Sequence, residues 1–333
     1  MRALVFTGPG KASVREAPAP VAGEGQVVID VDRVGICGTD VELFTGEMSY
    51  LHTGQSSYPL RPGHEWSGVV TATGPGVDES WLGRRVTGDT MIGCGRCRRC
   101  KSGRHHVCAS RYELGITDGL PGALAEQLAF PAAYLHALPD TVDPTLGALV
   151  EPGGNALRSV EAALLQPGER LLVLGTGTIG LLVAMLARGS EVHLMGHRAA
   201  DLELTRDLGF TNSWTRDTLP DLPWDAVVDA SNAPQLPGLA LDLVEPGRRV
   251  VYIGLSVTPS TIDTRDLVLK DVTAVGILGA SAGLAGTIDA YAGGAVDPRP
   301  LVAATVGLDE VADVLAGHRP EGRGPKIHVD PKE

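Results

Sequence analysis

Four cysteines, Cys94, Cys97, Cys100 and Cys108, lie within one short stretch that begins Cys94-Gly95-Arg96-Cys97-Arg98-Arg99-Cys100. A single loop can wrap thiolates at this spacing around one tetrahedral ion, which reads as an all-thiolate zinc site. Such a site is closed to substrate and braces a lobe that has little apolar core. An iron–sulfur cluster is the rival, but the fourth cysteine lacks the short spacing and trailing Pro of ferredoxin-type ligation. Reduced structural thiols are the remaining alternative. The fifth cysteine, Cys37, sits in Val34-Gly35-Ile36-Cys37-Gly38-Thr39-Asp40, and Gly63-His64-Glu65 and Glu151-Pro152 follow later. Cys, His and a carboxylate suit a catalytic zinc that keeps one position open. Taken singly each has a plainer reading: a small buried hydrophobe, a hydrogen-bonded histidine, a turn glutamate.

Gly175-Thr176-Gly177-Thr178-Ile179-Gly180 fits G-x-G-x-x-G between an apolar run, Leu171 to Leu174, and an apolar helical stretch, Ile179 to Ala187. In that context the first glycine makes a tight turn, the second admits a pyrophosphate to the backbone, and the third lets helix and strand pack closely. A NAD site would carry a carboxylate about 20 residues on. That position holds Gly196, followed by His197 and Arg198. A missing carboxylate and an added guanidinium suit a 2′-phosphate, so NADP(H) is expected in preference to NAD(H). The plainer reading makes His197 and Arg198 solvated turn residues.

These groups need elements to hold them. At 333 residues, 43% hydrophobic and 20% charged, the chain has room for two domains with cores of Val, Leu, Ile and Ala. Up to about residue 150 the runs are strand-like, as in Val27 to Val31 and Val69 to Thr73, with frequent Gly and Pro. Beyond it, strand candidates at Leu171 to Leu174, Glu191 to Met195, Ala226 to Asp229 and Arg249 to Ile253 alternate with helical spacing, the pattern of a doubly wound parallel sheet. Lys326-Ile327-His328-Val329 is a further strand. The expected division is 1–152, 153–294 and a returning segment 295–333, with the cysteine lobe at 90–112. A net charge of −12 argues against nucleic acid and anionic membranes as partners. Neither a signal-peptide pattern nor an apolar stretch of membrane-spanning length is present, so a cytoplasmic protein is expected.

In this order, the cysteine segment, Gly-His-Glu, the four-cysteine lobe, Glu-Pro and the glycine turn resemble the medium-chain dehydrogenase/reductase family of zinc alcohol dehydrogenase type, over essentially the whole chain. The resemblance implies a GroES-like β-barrel domain, a Rossmann domain, and one catalytic and one structural zinc. It implies Cys37 and His64 as the first two catalytic-zinc ligands. With no cysteine after Cys108, the third is of the carboxylate type, Glu65 or Glu151, as in the sorbitol- and glucose-dehydrogenase-like members. Thr39 matches the hydroxyl that accepts the substrate proton. Glu42 stands where the next relay member is commonly histidine, and reads either as a proton acceptor or as a solvated helix residue. Leu255 is counted with Gly175, Gly177, Thr178, Ile179, Gly180, Gly196, His197 and Arg198 as cofactor-contacting.

The implied reaction is hydride transfer between NADP(H) and a hydroxyl-bearing carbon, with zinc acting as Lewis acid. The long connection Phe44 to Pro62 holds Tyr50, His52, Gln55, Ser56, Ser57 and Tyr58, which favours a polyol, sugar or aminocyclitol; the segment Tyr58 to Gly68 also resembles aminocyclitol dehydrogenases. The alternatives are an NADPH-dependent reductase of less polar aldehydes or ketones and, in another class, an inactive nucleotide-binding sensor. A homodimer or homotetramer is expected from the family, with Gly276-Ile277-Leu278-Gly279 a candidate sheet edge.

Overall fold

The computed structural model describes residues 1–199 and 201–333. They form two units: Met1–Glu151 together with Leu284–Glu333, and Pro152–Gly283.

The first unit is built on a seven-stranded sheet in the order Val302–Gly307, Lys326–Asp330, Gln26–Gly35, Glu65–Thr73, Arg85–Gly88 and Leu135–Ala137, with Gln127–Pro131 also paired to Gln26–Gly35. Its long central strands carry apolar side chains inward, and Phe6, Ile29, Trp66, Leu128 and Phe130 are fully buried. Trp66 and Phe130 meet edge to face at 5.2 Å. Gly68 allows the central strands to approach, since a Cβ there would strike the Asp30 carbonyl. The C-terminal return begins at Leu284, ahead of the expected 295. The reason is packing: helix Leu284–Ala292 buries Tyr291, whose hydroxyl donates to Leu149 O at 3.2 Å.

The second unit is a six-stranded parallel sheet ordered Ser213–Trp214, Glu191–Met195, Arg170–Leu174, Trp224–Asp229, Val244–Tyr252, Thr273–Gly276. In chain order this is 3-2-1-4-5-6, the doubly wound arrangement whose ligands bind at the carboxyl ends of the strands. Leu171 to Leu174 are wholly buried, which explains a near-continuous apolar run in place of alternation. Thr273–Gly276 is an edge strand and largely exposed, so the segment 276–279 leads off a sheet edge.

Candidate metal centres and nucleotide loop

Cys37 is the N-cap of helix Gly38–Thr45, and its amide donates to Asp40 Oδ2 at 2.9 Å. That bond turns the chain into the helix and aims Asp40 back at the cap. Asp40 is fully buried. Its other oxygen accepts from Gly63 N at 3.3 Å and lies 3.8 Å from His64 Nδ1, an ion-pair distance too long for a hydrogen bond. Ligand atoms of Cys37, His64 and Glu65 all lie within 4.8 Å of one another. Burial disfavours a charged His64, but Asp40, a bond with Cys37, and Glu151 outweigh it and raise the imidazole well above its ordinary value. Burial likewise raises the Asp40 carboxyl, against the pull of His64.

Glu65 is 2% exposed and grips Lys326 Nζ with both oxygens, at 2.6 and 2.8 Å; the same ammonium donates to Ile36 O at 2.9 Å. Burial opposes the charge of Lys326, and Glu65, then Cys37, hold it up. Glu151 is buried in the first turn of helix Val150–Ala163, with Oε1 3.5 Å from Thr90 Oγ1. It lies outside the close group of three but near enough to act on His64. Asp40, Glu65 and Glu151 are at most 6% exposed, and Lys326 is the buried ammonium set against them. A thiol, an imidazole and surplus buried carboxylate fit a divalent cation of zinc's borderline character. Thr39 lies in the first turn of the Cys37-capped helix, with Glu42 one turn on, half-buried and raised by desolvation, then by Glu47.

Asp40 and Lys326 escaped the sequence reading. Asp40 had a faint signal, an acid three residues after a candidate ligand at a helix start; Lys326 had none beyond a lysine in an apolar strand.

The thiols of Cys94, Cys97, Cys100 and Cys108 also lie within 4.8 Å of one another. Backbone amides organise them: Cys100 N reaches Cys97 Sγ at 3.5 Å and Ser110 N reaches Cys108 Sγ at 3.4 Å. Amide donors from Arg96 and Cys97 pull the Cys94 thiol down to about 6, while lost hydration beside the other sulfurs pushes Cys100 up to about 11. Four converging sulfurs with N–H donors suit a closed tetrahedral zinc. His105 Nε2 to Asp89 Oδ2 (2.6 Å) and Tyr134 OH to Gly93 O (2.8 Å) tie the lobe to the sheet.

In the second unit, Gly175 adopts φ +112°, and its amide donates to Met195 O at 2.9 Å. A Cβ at Gly177 would meet nothing, leaving the backbone open to a ligand, whereas one at Gly180 would strike Gly175 O. Gly177 caps helix Thr178–Leu186 with no side-chain bond. The free amides of that helix start, opening with Thr178 and Ile179, fit a pyrophosphate. Gly196 is buried against Thr176 and Leu202, where a side chain would crowd both. His197 and Arg198 are exposed, as is Leu255, which follows Gly254 where that glycine packs on Ser231.

The six polar side chains singled out in the Phe44 to Pro62 connection each have a partner within the chain. Tyr50 bonds Glu113, His52 bonds Gly46 O, Gln55 accepts from Thr53, Ser56 donates to Ile116 O, Ser57 bonds Asp118 and Tyr58 donates to Leu43 O. Much of their polarity therefore fastens the connection to segment 113–118 and to its own helices.

Residues 23–140 match the family described as the alcohol dehydrogenase GroES-like domain. The L-threonine 3-dehydrogenase of Saccharopolyspora erythraea is 33% identical over 298 residues, covering 84% of each chain. That of Idiomarina loihiensis is 32% identical over 273 residues, covering 78% of this chain and 79% of its own. Among solved structures, a zinc-binding dehydrogenase from Sinorhizobium meliloti bound to NADP aligns over 99% of both chains with 28% identity and a TM-score of 0.89. Galactitol-1-phosphate dehydrogenase from Escherichia coli, at 21% identity and a TM-score of 0.88, shares the fold.

Proposed function

Because this chain belongs to the medium-chain dehydrogenase/reductase family, zinc alcohol dehydrogenase type, we propose that it is an NADP(H)-preferring dehydrogenase of a hydroxylated small molecule, a polyol, sugar or aminocyclitol. The observation that supports this reading is the close group of Cys37, His64 and Glu65 ligand atoms in a chain that also carries an open glycine turn. Zinc bound there would supply Lewis acidity toward a substrate oxygen, and NADP(H) a nicotinamide that accepts or returns hydride.

The chain's own residues do the rest. Cys37 and His64 would hold the metal, with Glu65 or Glu151 as the carboxylate ligand. Asp40, 3.8 Å from His64 Nδ1, acts on the imidazole through its charge. Lys326 engages both Glu65 oxygens and so weakens Glu65 as a ligand, which favours Glu151 for that role. Thr39 takes the hydroxyl proton of the substrate and Glu42 passes it outward. The amides after Gly177 would bind the pyrophosphate, and His197 and Arg198 would meet the 2′-phosphate.

A second reading draws on the relatives named L-threonine 3-dehydrogenase: a 2-amino-3-hydroxy acid is also a secondary alcohol within reach of this chemistry. Hydride transfer followed by nicotinamide absorbance, with polyols, cyclitols, L-threonine and aromatic aldehydes and with both cofactors, separates these readings and the reductase alternative. His64→Ala is expected to abolish turnover while NADP(H) still binds. A kcat within about tenfold of wild type, which is about 1.4 kcal/mol of barrier, would remove the metal from the mechanism.

A further inference from the structure

Arg198 and His197 follow the second strand of the parallel sheet, and Gly196, just before them, packs on Thr176 of the glycine turn, so this corner adjoins the nucleotide loop. Arg198 is not a free fork. Its Nη2 donates to Asp201 Oδ1 at 2.8 Å, its Nε to Oδ2 at 3.3 Å, and its backbone amide to Oδ2 at 3.1 Å. The Arg198 side chain is 72% exposed and that of Asp201 only 24%, so the carboxylate is the anchored member and the guanidinium the one at the rim. Asp201 is held below the usual carboxylate range by Arg198 first, and His197 adds to the effect. The guanidinium expected to meet a phosphate therefore already faces a carboxylate.

Resting on the reading of this corner as an NADP(H) site, we propose that Asp201 is a specificity-determining residue, which limits cofactor discrimination by occupying Arg198 in the place of the 2′-phosphate. To engage the phosphate, Arg198 leaves Asp201 and exchanges one anion for another. Asp201 then remains as a like charge beside a dianion. NAD(H) brings only a hydroxyl and makes neither demand. The chain thus combines an attractive element for NADP(H) with a built-in competitor, and their difference sets the ratio.

The test uses the full-length, zinc-loaded protein with Asp201→Asn, Arg198→Ala and the double variant. Asparagine keeps an oxygen for the Arg198 amide and removes only the charge. The readouts are the ratio of kcat/KM for NADP to that for NAD, and the affinities of 2′,5′-ADP and 5′-AMP by calorimetry, which need no turnover. Asp201→Asn is expected to raise the ratio, and to tighten 2′,5′-ADP, by about three- to fivefold, the reach of an exposed ion pair. Affinity for 5′-AMP should stay within about twofold, and the gain should vanish in the Arg198→Ala background. If Asp201→Asn leaves the ratio within about twofold while Arg198→Ala lowers it, Asp201 is a bystander and the proposal falls, with the cofactor reading intact. If neither variant moves the ratio or 2′,5′-ADP affinity, the phosphate site falls and takes the proposal with it.

Discussion

Lys326 Nζ stands 2.6 Å from Glu65 Oε2, although 261 positions of sequence separate the two residues. Their side chains are 4% and 2% exposed, and breaking a buried pair by removing one partner strands the other's charge. Lys326→Met should lower unfolding free energy by about 3–5 kcal/mol in urea titrations. Adding Glu65→Gln should return more than half of that loss. Wild-type stability in the single variant would mean that the ammonium does not hold the Glu65 charge.

Glu42 tests the proton path. Burial, then Glu47, raises its carboxyl above the ordinary glutamate value, and a base acts only when ionised. The rate of alcohol oxidation should therefore climb with pH through a limb lying above the usual carboxylate range. Glu42→Gln should flatten that limb and lower kcat about tenfold or more, while Glu42→Asp retains it. An unchanged kcat and pH profile in Glu42→Gln would make it a solvated helix residue.

For the cysteine lobe, the measure is metal content together with proteolysis. Cys97 caps helix Arg98–Lys101 and holds the Cys100 amide. Cys97→Ser should lose about one zinc per chain, and trypsin should then cut between Arg96 and Arg104, where the native lobe resists. Full zinc content or unaltered resistance in this variant would contradict a metal that braces the lobe.

His328 supplies an acid-sensitive term. It is fully buried in strand Lys326–Asp330, and among the described residues neither ring nitrogen has a hydrogen-bond partner. Burial, then Lys326 and Arg33, pushes its imidazole down to about 3. Above about pH 6.5 both folded and unfolded chains carry it neutral and it has no effect. As pH falls from there toward 3, the unfolded chain takes a proton that the folded one refuses, so stability drops by up to roughly 1.4 kcal/mol per pH unit. His328→Leu should remove that slope. Urea midpoints of both proteins at pH 7, 5.5 and 4.5 would show it, and parallel curves would assign the acid lability elsewhere.

The legible parts of this chain are those whose signal is local. The strands Arg170–Leu174, Glu191–Met195 and Trp224–Asp229 lie where the apolar runs put them, because a sheet buried on both faces writes its core as contiguous sequence. The four clustered cysteines and the glycine turn carry their geometry in their spacing. Lys326 and Asp40 were illegible for the opposite reason: their work is done on Glu65 and His64, and no local pattern announces a tertiary partner. The partners of the polar residues in Phe44 to Pro62 were illegible for the same reason. Ser56 and Ser57 bond Ile116 and Asp118, some sixty positions away.

Strand Lys326–Asp330 lies between Val302–Gly307 and Gln26–Gly35, so the first unit draws on both ends of the sequence. A nascent chain therefore leaves the ribosome with Glu65 already made and its counter-charge still to be translated. The Val34–Gly35 end of strand Gln26–Gly35, which Lys326–Asp330 later pairs, stays open while the second unit is synthesised. Pairing of the buried Glu65 carboxylate is thereby postponed until strand Lys326–Asp330 has been made, so the charge network beside Cys37 and His64 is completed only after the second unit has been synthesised.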